Sequence, residues 1–107
     1  MHPETAETKY LLAKALLKYG QAEKANALTD TILTVYKEIF QEENPEFARI
    51  YALKANALLR LGQTQEAENY FRKSVDIVFG FLGRDNPVAL SLLREWGVPE
   101  EYYTKVR

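Results

Sequence analysis

The chain repeats itself. Displaced by 42 residues, Pro3 falls on Pro45, Glu4 on Glu46, Ala6 on Ala48, Leu11 on Leu53 and Ala13 on Ala55. Ala15-Leu16-Leu17 falls on Ala57-Leu58-Leu59, Gly20-Gln21 on Gly62-Gln63, and Ala25 on Ala67. In all, 11 of the 42 aligned pairs are identical, and a third pass opens with Asn86-Pro87 beneath Asn44-Pro45. A fixed period of this size means one supersecondary unit stacked on copies of itself. The expected organisation is a single domain in three passes: 2–43, 44–85 and an incomplete 86–107.

Composition narrows what such a stack can do. Of the 107 residues, 47% are hydrophobic and 27% charged, enough for one core beneath an ordinary surface. The net charge of -1 sets up no field favouring nucleic acid or an anionic membrane. There is no cysteine, hence no disulfide framework and no thiolate site. No apolar run approaches the roughly 20 residues of a membrane span. We therefore expect a cytoplasmic protein with no nucleic-acid partner and no membrane partner. Met1-His2-Pro3 runs straight into the repeat without a signal-peptide pattern, so we expect a piece of a longer array.

Each unit reads as two helices. In the first, Pro3 suits an opening helical position with His2 before it, and Ala6, Leu12, Ala13, Leu16 and Leu17 recur at helical spacing. Lys18 and Gly20 supply a stop. The second unit repeats this with Asn44 as cap, Pro45, then Ala48, Tyr51, Ala55, Leu58 and Leu59, closed by Arg60 and Gly62. A longer helix follows each glycine. One carries Ala25, Leu28, Ile32, Leu33, Val35, Ile39 and Phe40; the other carries Ala67, Tyr70, Phe71, Val75, Ile77, Val78 and Leu82. The predicted helices are 3–19, 21–41, 45–61 and 63–82, with a capping helix over 87–96 and a short last helix over 100–105. Short loops make neighbours antiparallel. Ala13, Ala25, Ala55 and Ala67 flank the glycine turns at matched distances, where small side chains permit close approach. Leu16, Leu58 and Phe71 are expected to fill the remaining core, and Leu90 and Leu93 to seat the cap.

Helix, glycine turn, helix, with alanine at fixed distances about the turn, resembles the tetratricopeptide repeat. The likeness rests on Tyr51, Ala55, Leu58, Gly62, Ala67 and Phe71, and on Ala13, Leu16, Gly20 and Ala25. The 42-residue period and the Asn-Pro junction are similar to the repeats of kinesin light chains. The resemblance implies an all-α, right-handed superhelix of two full repeats and a C-terminal capping helix. It also implies a protein-interaction module, part of a larger scaffold, whose first helices line a concave surface that takes a peptide. By position, that surface would hold Tyr10, Leu11, Lys14, Leu17 and Lys18, then Arg49, Ala52, Leu53, Asn56, Leu59 and Arg60, with Arg94 from the third pass. Residues 3–19 and 45–61 hold six cations against three carboxylates, while 21–43 and 63–85 hold five against nine. This division points to an acidic peptide or partner segment.

Other chemistry finds no support in the residues. His2 is the sole histidine and reads as a helix cap or chain end. Glu42, Glu43 and Glu46 read as a solvated loop and helix start rather than a cation site. Tyr10, Tyr36, Tyr51, Tyr70, Phe71 and Phe79 recur at helical spacing and read as packing rather than a base-stacking platform. No phosphate loop, metal-ligand set or Ser/His/Asp constellation occurs, so we expect neither enzyme nor cofactor. The competing expectation is a structural segment that stacks on further repeats or self-associates, because stacks this short leave apolar ends.

Overall fold

The structure is a computed structural model that describes residues 5–104. Helix α1 spans Ala6–Lys18, α2 Ala22–Ile39, α3 Pro45–Arg60, α4 Thr64–Leu82 and α5 Pro87–Glu95, and a 3-10 turn covers Glu100–Tyr102. The described residues contain no strand. The all-helical expectation is met, and the starts of α1, α3 and α5 are each capped by a side chain. Asn44 accepts from the Glu46 N–H at 2.9 Å and Asn86 from the Val88 N–H at 2.8 Å, each ahead of a proline at the first helical position. Helix α1 begins later than position 3, because the Thr5 hydroxyl caps it, accepting from the Thr8 N–H at 3.1 Å. His2 and Pro3, assigned above to that cap, lie outside the described residues. The expected last helix contracts to the 3-10 turn, and Lys105 also lies outside.

The glycine turns set the period. Gly20 and Gly62 sit at φ of 84° and 82°, the left-handed region that glycine enters without a Cβ clash. Gly20 N–H donates to Leu17 O at 3.1 Å and Gln21 N–H to Leu16 O at 2.8 Å. Gly62 and Gln63 repeat this on Leu59 O and Leu58 O at 3.1 and 2.9 Å. Gly97 and Val98 repeat it again on Arg94 O and Leu93 O. Each such pair satisfies two carbonyls at a helix end and turns the chain sharply.

Packing proceeds along the chain: α1 on α2, α2 on α3, α3 on α4, α4 on α5. Ala13, Ala25 and Ala55 are wholly buried and Ala67 nearly so, as their matched positions predict. We expect Ala25→Leu to overpack this contact and lower stability by about 1–3 kcal/mol in a urea titration. One apolar cluster joins α1 to α3 through Tyr10, Ile32, Tyr36, Phe47 and Tyr51. A second joins α3, α4 and α5 through Leu58, Phe71, Val78 and Leu93, with Val98 and Tyr103 from the tail and partly buried Leu90. Leu16 is only partly buried, packed on the first cluster.

Four residues predicted for the apolar stripes are instead exposed: Leu59 of α3, and Leu12, Val35 and Ile39 of the first unit. Lys54, one of the six cations counted above on the first helices, is also corrected. Its Nζ does not join the outer charge of α3 but crosses to α2, donating to Asn26 Oδ1 and Asp30 Oδ1, both at 2.7 Å, from a buried position. A buried ammonium needs such acceptors.

Candidate partner-binding face

Three contacts set the first helices side by side. Arg49 of α3 meets Glu7 of α1 at 3.0 Å. Arg60 Nη1 of α3 donates to Leu17 O of α1 at 3.0 Å. Asn56 Nδ2 of α3 reaches Trp96 O and Gly97 O at the end of α5, at 3.4 and 3.5 Å. The last approach is close: a Cβ at Gly97 would stand 3.2 Å from Asn56 Nδ2, so glycine serves both the turn and the contact. These contacts bring α1, α3 and the C-terminal end of α5 together on one side of the stack.

Its centre is closed. The Arg49 guanidinium lies over the Tyr10 ring, 4.0 Å from the centroid, and bonds Glu46 at 3.0 Å as well as Glu7. Such a stacked, partly desolvated cation contributes roughly 1–2 kcal/mol. Burial pulls the Arg49 pKa down, but Glu7, Glu46 and Tyr36 outweigh it, so the charge is held above its ordinary range. Burial raises the Tyr10 phenol, with Arg49 opposing and Glu7 and Glu95 adding to the rise. Tyr36 is likewise raised by burial, its hydroxyl 3.4 Å from Glu46 Oε1.

The predicted site residues thus divide. Tyr10, Leu17, Ala52 and Leu53 are buried and line no open groove, because adjacent first helices pack on them. Arg49 is engaged as described, and Asn56 is half-buried, its amide also bonding Ala52 O at 3.0 Å. Leu11, Lys14, Lys18, Leu59, Arg60 and Arg94 are exposed. Lys14 Nζ stands 5.7 Å from the Tyr10 ring centre, and Arg94 lies 3.8 Å from Glu100 in an exposed pair. Arg60 also stands on the wall of an open depression of about 540 Å³, with Gly20–Lys24 and Leu61, at the turn edge.

Sequence reasoning missed Glu7 and Glu46 as partners within this face, because charge was summed by helix rather than by side. A signal was present: Glu7 and Arg49 are 42 residues apart, the repeat period, so opposite charges at equivalent positions become neighbours in the stack. The tyrosines on the opposite side serve packing. Tyr51 donates a short hydrogen bond to Glu43, and burial together with that carboxylate pushes its pKa well up. Lys73 Nζ lies 5.3 Å from the Tyr51 ring centre and 5.6 Å from that of Tyr70.

Among the described residues, no cluster of three or more His, Cys, Asp or Glu suits a metal ion, and no helix is long and apolar enough to cross a membrane. The sequence model of the family described as tetratricopeptide repeat matches residues 4–78. No curated protein and no solved structure matches the chain.

Proposed function

Because the chain belongs to the tetratricopeptide repeat family, we propose that the exposed cations of α1 and α3 receive an acidic segment of a protein partner. Repeats of this family are non-catalytic scaffolds that generally serve as protein–protein interaction modules. The observation that carries the reading is the reach of Arg60 to Leu17 O at 3.0 Å. It sets the α3 guanidinium against the end of α1, beside Lys18, with Lys14 one turn further back. Leu59, 44% exposed, offers apolar contact next to these charges. Asn56 Nδ2 is engaged with Ala52 O, Trp96 O and Gly97 O, which leaves its Oδ1 to accept from a peptide N–H. Arg94 extends the same sign onto α5. Arg49 drops out as a ligand contact, because using it would strip Glu7, Glu46 and Tyr10 of their partner.

The experiment is a titration of the chain with an Asp/Glu-rich octapeptide, with a Lys-rich octapeptide as control, followed by amide chemical shifts. Shifts centred on Lys14, Lys18, Asn56 and Arg60 are expected with the acidic peptide alone. They should fade as salt rises, since exposed charges are screened over about 8 Å at physiological ionic strength. The double reversal Lys14→Glu with Arg60→Glu should weaken binding at least about tenfold. Unchanged affinity with helicity intact would place binding off this face.

A further inference from the structure

The third unit is shortened inside its first helix. Helix α5 has 9 residues where α3 has 16, a difference of seven. Its Asn-Pro start is kept, and so is the glycine turn with its pair of closing hydrogen bonds. The loss therefore falls between them. Seven residues are two turns, or about 10 Å of helix. Asn56 Nδ2 marks where α5 gives out, 3.4 Å from Trp96 O and 3.5 Å from Gly97 O. At that level α5 has turned back, while α3 runs on to Arg60.

One pair of residues shows the effect. Leu17 and Leu59 are equivalent, 42 residues apart. Leu17 is 8% exposed, because α3 runs past it as far as Arg60, whose Nη1 donates to Leu17 O at 3.0 Å. Leu59 is 44% exposed. Residue type and place in the repeat are the same, so the difference lies in the length of the next first helix. The tail does not replace the missing turns. From Gly97 it passes to α4, where Tyr102 stacks on Phe71 and where Val98 and Tyr103 enter the second cluster. A notch remains, with Leu59 on its floor, the Gly97 turn at one end and the exposed Arg60 beside it.

We infer that this notch seats one large apolar side chain of the partner, so that the segment recognised is acidic with a Leu-sized residue among its carboxylates. This rests on the acidic reading above and narrows it. A side chain of that size would cover Leu59 as α3 covers Leu17, removing apolar surface from water. An extended segment advances about 3.3 Å per residue, so the notch spans about three residues: the apolar one and a neighbour on each side. The neighbours meet Arg60. Its guanidinium has donors beyond the one given to Leu17 O, and a carboxylate accepts them in a charge-assisted bond. A cationic neighbour would meet like charge instead. A segment of Asp and Glu alone would satisfy Arg60 but leave Leu59 in water.

Three octapeptides test it by calorimetric titration of the chain. The first is Asp/Glu-rich with one central Leu, the second has Ala in place of that Leu, and the third keeps the Leu but carries Asn and Gln for the acids. The Leu peptide is expected to bind at least about tenfold tighter than the Ala peptide. Leu59→Ala, checked for unchanged helicity, should bring that ratio close to one, and Leu59→Met should preserve it. The Leu59 methyl resonances should shift with the Leu peptide and not with the Ala peptide. Equal binding of the Leu and Ala peptides would overturn the inference and leave the acidic reading standing. So would a ratio that survives in folded Leu59→Ala, since the apolar contact would then lie elsewhere. Equal binding of the Leu peptide and its Asn/Gln form would overturn the acidic reading while supporting the apolar seat. Failure of all three peptides to bind would overturn both.

Discussion

Phe71→Ala is expected to lower stability by about 3–5 kcal/mol, read as a fall in the urea midpoint at unchanged slope. The ring is 1% exposed and lies at the heart of the second cluster, where α3, α4 and α5 converge. Truncation removes the transfer free energy of the ring and leaves a cavity between helices too rigid to close it. It also removes the stacked contact with Tyr102, 5.4 Å between centroids at 26°. Since a domain of this size holds only about 5–15 kcal/mol in all, the loss is a large share. The tail should loosen first. Amides of α5 and of Val98–Thr104 should exchange faster than those of α1 and α2. A loss below about 1 kcal/mol would mean that the tail does not pack on α4 as described.

Phe47→Ala should cost a similar amount, about 3–5 kcal/mol, but release the other end. Phe47 is 1% exposed and meets three rings: Tyr36 at 5.5 Å, Phe40 at 6.0 Å and Tyr51 at 6.1 Å. The first two pairs are edge-to-face, an arrangement that adds about 0.5–1.5 kcal/mol each beyond burial. Phe47 lies on α3 and its neighbours Tyr36 and Phe40 belong to the first unit, so the substitution weakens the junction between units. Hydrogen exchange should rise across α1 and α2 while α3 and α4 keep their protection, because stacked repeats gain stability from nearest-neighbour interfaces. Uniform loss of protection in all helices would contradict that division.

The fold was legible because its signals are local. Gly20, Gly62 and Gly97 close helices by backbone geometry, and Asn44-Pro45 and Asn86-Pro87 open them, so periodicity alone locates the elements. The four alanines were legible for the same reason: small residues at matched distances from a turn admit one close contact. The nearness of the first helices to one another was legible from the repeat, but not which of their residues stay open. Helical spacing shows that Tyr10, Leu17 and Leu53 share a side with Lys14. It does not show that adjacent first helices cover them, which depends on the angle between units. Lys54 shows the same limit from the other direction, since its acceptors Asn26 and Asp30 lie more than 20 residues away. Exposure of Leu12, Val35 and Ile39 was hidden because an apolar stripe records a need for cover, not its presence.

The orderly contact of each helix with the next also governs how fast the chain finds its shape. Apart from the touch of α1 on α3 and of the 3-10 turn on α4, the principal contacts join consecutive helices. Nearly every loop that must close is then about one hairpin long, and its entropic cost is small. Chains of this low contact order fold in microseconds to milliseconds. Either hairpin can form first and serve as the template for the other, so α1 and α2 can be in place before α4 has left the ribosome.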